Sequence, residues 1–208
     1  MNTFKFICAS ILGLCLASCN CNEKCESSAA NSSENTTEAV IQNIMTRTSV
    51  RKFTDRAIAS DTLEQLVKCG MAAPTAVNKQ PWAFVVVTDR VVLDSLENVH
   101  PWANLKTATA AIIVCGEYEK KLEGEAGEYW VQDCSAATEN ILLAAHAYGL
   151  GAVWCGVYPT TERIAGVRRV LDLPSTIMPL NIITMGYPAT ANEPKDKWNP
   201  DVVHFQKW

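Results

Sequence analysis

Between about residue 36 and the C-terminus, the sequence predicts one layered domain in which helices alternate with buried strands. Two observations predict this class. Apolar segments with helical spacing alternate with four apolar runs that are β-branched and too short to favour a helix. Alternation of this kind is typical of a doubly wound parallel sheet, but periodicity alone does not determine strand direction. The four runs are Ala83–Thr88, Ala110–Cys115, Ala152–Val157 and Leu180–Met185.

The first two helices are predicted from possible capping residues and from the apolar faces that follow them. Thr36 and Thr37 can cap the first helix. Asp61 and Glu64 make a capping-box-like start for the second. The apolar faces consist of Val40, Ile41, Ile44 and Met45 in the first helix and of Leu63, Leu66 and Val67 in the second.

The last two helices are delimited by glycine and proline. The longest helix is expected from about Glu128 to Tyr148, with Gly149 as its C-terminal stop. The other begins at Thr161 and ends before Pro174. Their apolar faces consist of Val131, Cys134, Ala137, Ile141, Ala144 and Ala145 in the longer helix and of Ile164, Val167 and Leu171 in the shorter one.

Residues 1–18 are expected to be a signal peptide and not part of the fold. Lys5 precedes an apolar run, Phe6–Leu16, that is too short to span a bilayer and has the length of a signal-peptide core. The run ends in Leu16-Ala17-Ser18-Cys19, which resembles the bacterial lipobox. That resemblance implies cleavage before Cys19 and acylation of its thiol. A buried N-terminal helix that happens to contain these residues is the alternative.

Residues 19–35 are predicted to form a flexible tether that starts at the lipidated Cys19. The stretch is rich in Asn, Ser, Glu and Lys and has almost nothing to bury, so it cannot offset its ordering entropy. Two or more acyl chains would anchor the protein stably to a membrane. The prediction is a lipid-anchored protein of the bacterial cell envelope, outside the cytoplasm. Cys21 and Cys25 match no common metal or redox spacing and are interpreted as solvated linker residues.

The charge of the chain gives no indication of a nucleic-acid partner. The chain has 18 Lys and Arg against 22 Asp and Glu, a net charge of −4. Removing residues 1–18 takes away a single charged residue, Lys5, and moves the net charge to −5. No basic run is interleaved with aromatic residues, as nucleic-acid binding would require.

The remaining cysteines and the histidines show no metal or catalytic spacing. The cysteines lie in apolar surroundings and are interpreted as small buried hydrophobes. The histidines are scattered and are interpreted as structural or surface residues. These residues are Cys69, Cys115, Cys134 and Cys155, and His100, His146 and His204.

Two polar motifs carry the predicted chemistry. Arg47-Thr48-Ser49-Val50-Arg51 offers two guanidinium groups and a hydroxyl within five residues, which suits a phosphate better than lysines would. Further along, Ala73-Pro74-Thr75-Ala76-Val77-Asn78-Lys79-Gln80-Pro81-Trp82 mixes amide side chains with Pro and Trp, which suits the edge and face of a ring system. Both motifs in this order resemble the FMN-dependent nitroreductase family. The resemblance extends from about Thr36 to the C-terminus.

The resemblance implies an α+β fold in place of a doubly wound sheet. The expected nitroreductase-like fold has a mainly antiparallel central sheet wrapped by helices and forms an intertwined homodimer. The tail after Pro188 agrees with a dimer, because it has no long periodic element and yet carries apolar residues that need a surface. Packing on its own domain is the alternative. The apolar tail residues are Trp198, Val202, Val203, Phe205 and Trp208.

The resemblance also implies which residues bind FMN. The first motif would bind the ribityl phosphate and the polar edge of the isoalloxazine, whereas the alternative is a loop of solvated charges. The second motif would line the flavin from the partner subunit, with Lys79 standing where the family usually has a small residue. The implied residues are Arg47, Thr48, Ser49 and Arg51 from the first motif and Pro74, Thr75, Ala76, Asn78 and Gln80 from the second.

Two later segments complete the implied site. Gly149–Gly156 lacks the third glycine of a dinucleotide-binding loop, and its glycines end a helix where that loop would begin one. The resemblance implies instead a strand whose end passes the flavin ring, with ordinary turn and core as the alternative. Pro194–Trp198 resembles the family's basic pair that closes on the phosphate, here two lysines without bidentate geometry; read alone, it is a solvated charge cluster. The implied residues are Trp154, Cys155, Gly156, Lys195 and Lys197.

The function implied by the resemblance is that of an FMN-dependent oxidoreductase. It would reduce nitroaromatic, quinone or related small-molecule acceptors by a ping-pong hydride mechanism. The electron donor would be NAD(P)H, or a membrane or redox-protein donor. No side chain is assigned as catalytic and no metal is expected, because the cofactor carries the hydride. Two alternatives remain: a flavin electron-transfer lipoprotein with a membrane donor, and a non-catalytic surface lipoprotein that has lost the flavin.

Overall fold

The computed structural model describes residues 36–208. The predicted signal peptide and tether, with Cys19, Cys21 and Cys25, lie outside the described residues. Backbone contacts divide the chain into the units Met1–Val40 and Ile41–Trp208. The described part of the first unit, residues 36–40, is helical and exposed. Within residues 36–208, no helix has the length and apolar character needed to cross a membrane.

The described part of the chain contains five α-helices and four strands. The helices are α1 over residues 36–46, α2 (Ser60–Met71), α3 (Arg90–Val99), α4 (Tyr129–Ala147) and α5 (Thr161–Val170). The strands are β1 (Trp82–Val87), β2 (Ala110–Glu117), β3 (Gly151–Gly156) and β4 (Ile177–Gly186). All four predicted strand runs therefore form strands.

The sheet is antiparallel throughout its four strands. Their order is β1-β2-β4-β3, and every neighbouring pair is antiparallel. The arrangement is α+β, which confirms the fold implied by the resemblance and rules out the doubly wound parallel sheet. Strand β3 lies at one edge and pairs with β4 alone among the four strands.

Helices cover both faces of the sheet. In β2, Ile112 and Val114 face the layer formed by α2 and α4, whereas Ile113 and Cys115 face the layer formed by α3 and α5. This alternation follows from the two-residue period of a strand. Burying an isoleucine side chain contributes about 1.5–3 kcal/mol, so the two clusters hold the three layers together.

Helix starts were predicted less well than strands. Thr36 and Thr37 lie within the described part of helix α1. Helix α2 begins after Ala59, without a side-chain cap, so the predicted capping box is wrong. Glu64 instead forms an ion pair with Lys68 one turn later, at 2.6 Å.

Helix α3 was not predicted from the sequence. Its N-cap is Asp89, whose side chain accepts a hydrogen bond from the Val92 N–H at 3.0 Å. Only Leu93 and Leu96 are buried, while Val91 is 73% exposed. Two buried positions give too short a pattern to identify a helix by periodicity alone.

The long helix α4 ends as predicted. Gly149 has a φ of +70°, and its N–H donates to the His146 carbonyl at 2.9 Å. A left-handed glycine at this position ends a helix at little steric cost. Strand β3 begins two residues later, so this segment is not a dinucleotide-binding loop.

Candidate functional site

A surface cavity of about 780 Å³ lies between the loop that follows α1 and the C-terminal tail. Six of the residues predicted to bind the cofactor line it. Four come from the first motif and two from the tail, about 150 residues away in sequence. These residues are Arg47, Thr48, Ser49, Arg51, Lys195 and Lys197.

The charges of the cavity lining suit an anion. Its four basic side chains exceed its two acidic ones by two positive charges, which matches a phosphate monoester near neutral pH. The tail lysines come from a segment in which every side chain is exposed. The basic residues are Arg47, Arg51, Lys195 and Lys197, and the acidic ones are Glu139 and Glu193.

Arg47 is held in place by Glu139 of α4. The Arg47 Nε lies 3.5 Å from the Glu139 Oε1, and the Arg47 side chain is only 18% exposed. Because this ion pair uses Nε, the two terminal nitrogens keep the planar fork that binds phosphate oxygens. The loop is therefore not simply a run of solvated charges.

The loop is joined to the start of β3. Ser49 forms a parallel bridge with Ala152, and the Val50 N–H donates to the Ala152 carbonyl at 3.1 Å. A Cβ on Gly151 would lie 2.6 Å from the Cβ of Val50, so only glycine permits this close approach. The first motif thus extends the sheet at the edge of β3.

The same loop is joined to the segment after β4. The Thr54 N–H donates to the Tyr187 carbonyl at 2.8 Å, and the Ala189 N–H donates to the Lys52 carbonyl at 3.0 Å. These bonds fix the start of the tail beside the loop. They explain how Lys195 and Lys197 reach the cavity.

The predicted ring-binding end of β3 lies outside this cavity. Gly156 is four residues beyond Ala152, about 13 Å away at about 3.3 Å per residue. Trp154 is 37% exposed, which excludes the ordinary core position considered as an alternative. A Cβ built on Gly156 would meet no atom within 4 Å. The strand therefore leads from the cationic cavity to an open edge.

Arg51 connects the two ends electrostatically. Burial raises the pKa of the Cys155 thiol, while the guanidinium of Arg51 acts in the opposite direction. The charge of Arg51 is therefore felt both in the cavity and along β3.

The Pro74–Gln80 segment does not line the cavity of its own chain. It is nevertheless held rigidly, because the Ala76 N–H donates at 2.9 Å to Asp133, a buried residue of α4. Three of its residues adopt positive φ, including the β-branched and exposed Val77. Such backbone strain costs about 1–3 kcal/mol per residue and concentrates at functional sites. The three residues are Val77, Asn78 and Gln80.

Sequence reasoning missed one contact of the site. His100, interpreted as structural, is 2% exposed, and its Nε2 lies 2.9 Å from the Gly156 carbonyl oxygen. Arg163 Nη1 donates to the same oxygen at 3.1 Å. No motif marks this group, because His100 lies 56 residues from Gly156 and Arg163 belongs to the next helix, seven residues further on.

The contact determines the histidine tautomer. A carbonyl only accepts, so Nε2 carries the proton and Nδ1 is bare. The buried Nδ1 has no hydrogen-bond partner among residues 36–208, which costs about 1–3 kcal/mol. Burial lowers the pKa of His100, the Gly156 carbonyl opposes this, and the nearby Arg163 lowers the pKa further.

Acidification is expected to destabilise the domain through His100. Its pKa in the folded protein is below the ordinary value of 6.5, so near and below that value the unfolded chain binds a proton that the folded chain does not. The free energy of unfolding should therefore fall as the pH is lowered from about 7 to about 5.5. Urea unfolding at both pH values measures this. His100→Gln should reduce the difference, whereas replacing His204, in the exposed tail, should not; an unchanged difference in His100→Gln contradicts this assignment.

The four cysteines within residues 36–208 are free thiols, and three of them are buried. Burial raises the pKa of Cys115 to about 12 and also raises that of Cys134. Cys69 is half-buried, so the expectation that all four would be buried is wrong for this residue. Within residues 36–208, no three or more His, Cys, Asp or Glu side chains are grouped so that they could hold a metal ion.

The antiparallel α+β layers and the cavity beside β3 are those of a nitroreductase-like fold. The Nitroreductase family model matches residues 44–103 and 95–187, and the chain belongs to the nitroreductase family. A "Putative NADH dehydrogenase/NAD(P)H nitroreductase" of Methanothermobacter thermautotrophicus is 44% identical over 170 residues, which are 81% of this chain and 87% of that protein.

Similar solved structures agree with this family assignment. The crystal structure of a "Putative NADH dehydrogenase/NAD(P)H nitroreductase" from Parabacteroides distasonis is 44% identical in sequence, with a TM-score of 0.77. The alignment covers 82% of this chain and 99% of that one. An FMN-dependent nitroreductase from Clostridium difficile is 27% identical, with a TM-score of 0.74, and the alignment covers 81% of this chain and 99% of that one.

Proposed function

We propose that this chain is an FMN-dependent oxidoreductase that reduces nitroaromatic, quinone or related small-molecule acceptors. The observation that carries the proposal is the convergence of four cations from both ends of the domain on one cavity of about 780 Å³. Family membership supports the reaction class. The FMN-dependent nitroreductase of Clostridium difficile supports the choice of cofactor.

The described residues fit FMN on two counts. The cavity has the excess of positive charge that one terminal phosphate requires. The sequence contains no motif for the additional nucleotide of FAD. The open space over Gly156 leaves room for a ring at the other end of the strand. Arg47, Arg51, Lys195 and Lys197 would hold the phosphate. When bound, FMN supplies the acceptance and donation of a hydride.

The proposed role of the chain's own residues is to bind and orient the cofactor. Glu139 fixes Arg47, and the hydroxyls of Thr48 and Ser49 add polar groups to the phosphate cavity. Arg51 lines the cavity, and its positive charge also acts against the burial-raised pKa of Cys155 in β3, so it would favour negative charge on a ligand bound nearby. No side chain is required as a general acid or base.

The proposal includes a homodimer, because two sets of apolar side chains are exposed in a single copy. Trp208 is 99% exposed and Phe205 80%, so these two side chains of the tail do not pack on their own domain. The apolar face of α1 is also exposed, at Ile41, Ile44 and Met45. A second copy would cover both surfaces and would bring its Pro74–Gln80 segment to the flavin.

The purified protein tests the proposal directly. It should show the visible absorbance of an oxidised flavin and release FMN, not FAD, on denaturation. Steady-state turnover with nitroaromatic and quinone acceptors should then be compared for NADH and for menaquinol-like donors. Activity with the quinol alone would favour the electron-transfer lipoprotein. A colourless protein that cannot be reconstituted with FMN would favour the non-catalytic alternative.

Lipidation at Cys19 remains part of the proposal. The supporting features are the charged and apolar segments before Leu16-Ala17-Ser18-Cys19 and the polar stretch after it. A flexible tether of about sixteen residues has a root-mean-square reach of roughly 20–25 Å. That reach would let the domain meet a membrane quinol or a redox protein as its electron donor.

Cys19→Ser is expected to release the protein from the membrane fraction or to leave the precursor uncleaved, because serine provides no thiol for acylation. Cell fractionation and the mass of the mature N-terminus measure this outcome. Cys21→Ser is the matched control and should stay anchored. A processed Cys19→Ser protein that remains on the membrane would contradict the assignment.

A further inference from the structure

Two side chains converge on one backbone oxygen at the end of β3. The Gly156 carbonyl accepts from His100 Nε2 at 2.9 Å and from Arg163 Nη1 at 3.1 Å. His100 is the C-cap of α3, and its own N–H donates to the Leu96 carbonyl at 2.9 Å. Arg163 lies in the first turn of α5. The carbonyl is thus held from two helices of the layer on one face of the sheet.

The two bonds saturate the carbonyl. A carbonyl oxygen has two lone pairs, and each can accept one hydrogen bond. His100 is buried, and while its Nε2 donates to the carbonyl, its Nδ1 has no hydrogen-bond partner among residues 36–208. A buried apolar residue would avoid that unpartnered nitrogen but would leave the carbonyl with one donor.

Strand geometry determines what remains exposed at Gly156. The Val157 N–H donates to the Leu180 carbonyl, so Gly156 occupies the alternate position, whose N–H and C=O both point away from β4. With the carbonyl occupied by two donors, the backbone of Gly156 offers an N–H and no acceptor at the edge of the sheet. A Cβ built on Gly156 would meet no atom within 4 Å, so the face of the strand beside this N–H is open to a planar ligand.

We infer that His100 and Arg163 are positioning residues that make the end of β3 a donor-only edge for the ring of the bound cofactor. This inference rests on the proposed function. Such an edge favours a ring whose facing atoms accept hydrogen bonds. The same ring binds less well after it has gained N–H groups, because those groups find no acceptor at the edge. His100 and Arg163 therefore lower the affinity of the site for reduced flavin relative to its affinity for oxidised flavin.

The inference predicts a shift in the midpoint potential of the bound flavin. His100→Leu would free one lone pair for a ring N–H without changing the charge of the site, whereas a neutral residue at Arg163 would also remove a positive charge. We expect the ratio of oxidised to reduced affinity to fall about threefold in His100→Leu. A threefold change corresponds to a rise of about 14 mV for a two-electron couple, since a tenfold change is about 30 mV.

Two matched variants separate positioning from a merely structural role. His100→Gln keeps a side-chain donor and should keep the wild-type potential. Arg168→Met removes another α5 arginine that donates to a backbone carbonyl, that of Pro174 at 3.0 Å, but not to Gly156. It should change the melting temperature at most. Potentials are measured by dye-coupled redox titration of the full-length holoprotein.

The outcomes distinguish this inference from the proposed function. A wild-type protein that binds no FMN refutes the proposed function and with it the inference. An FMN-loaded His100→Leu protein with the wild-type potential refutes only the inference. If His100→Leu does not fold, His100→Met, which also removes the donor, takes its place in the comparison with His100→Gln.

Discussion

Arg47→Ala and Arg51→Ala are each expected to empty the proposed cofactor site. Each change removes a charge-assisted contact to phosphate, and Arg51→Ala also removes the positive charge that acts on the end of β3. The expected loss is about 1.5–3 kcal/mol for each variant, or roughly 10- to 150-fold in FMN affinity. Flavin content after purification and FMN titration followed by flavin fluorescence measure the effect.

Lys52→Ala is the matched control for these arginine variants. Lys52 is exposed and follows Arg51 in the same loop, but its side chain does not line the cavity. Its removal should leave FMN affinity within about twofold of the wild type, since isolated surface charges contribute little. Full flavin occupancy in Arg47→Ala would show that the cavity does not hold the phosphate.

Truncation after Ala191 is expected to give a flavin-poor monomer or an aggregate. It removes both tail lysines from the cavity together with the exposed apolar residues of the tail, such as Trp198 and Trp208. The cavity would keep two of its four cations, and the proposed dimer would lose contact area. Light scattering coupled to absorbance measures mass and flavin content in one experiment.

A paired substitution separates the two effects of that truncation. Replacing Lys195 and Lys197 by alanine leaves the apolar tail intact, so this variant should remain dimeric while binding FMN more weakly. A truncated protein that is soluble, monomeric and fully loaded with flavin would refute the model in which two subunits share the site.

Local patterns predicted the strands well and the helix starts poorly. The β-branched runs from Ala83, Ala110, Ala152 and Leu180 all form strands, because short apolar runs rich in β-branched residues favour strands over helices; the signal is most continuous in β2 and β4, which are buried on both faces. Helix α3 was missed because only two of its side chains are buried, and the Asp61 capping box was wrong because Ala59 precedes α2 without a side-chain cap. Capping patterns that occur by chance are common in short polar stretches.

The sequence by itself determined which segments form strands, where α4 stops at Gly149, and which residue types can bind a phosphate. Those properties depend on neighbours along the chain. The tertiary structure decided the antiparallel strand order, the meeting of Arg47 with Lys197 in one cavity and the convergence of His100 and Arg163 on Gly156. Apart from the contact between Arg163 and Gly156, these contacts join residues far apart in sequence, and no local periodicity records them, because they arise only when the helical layers pack onto the sheet.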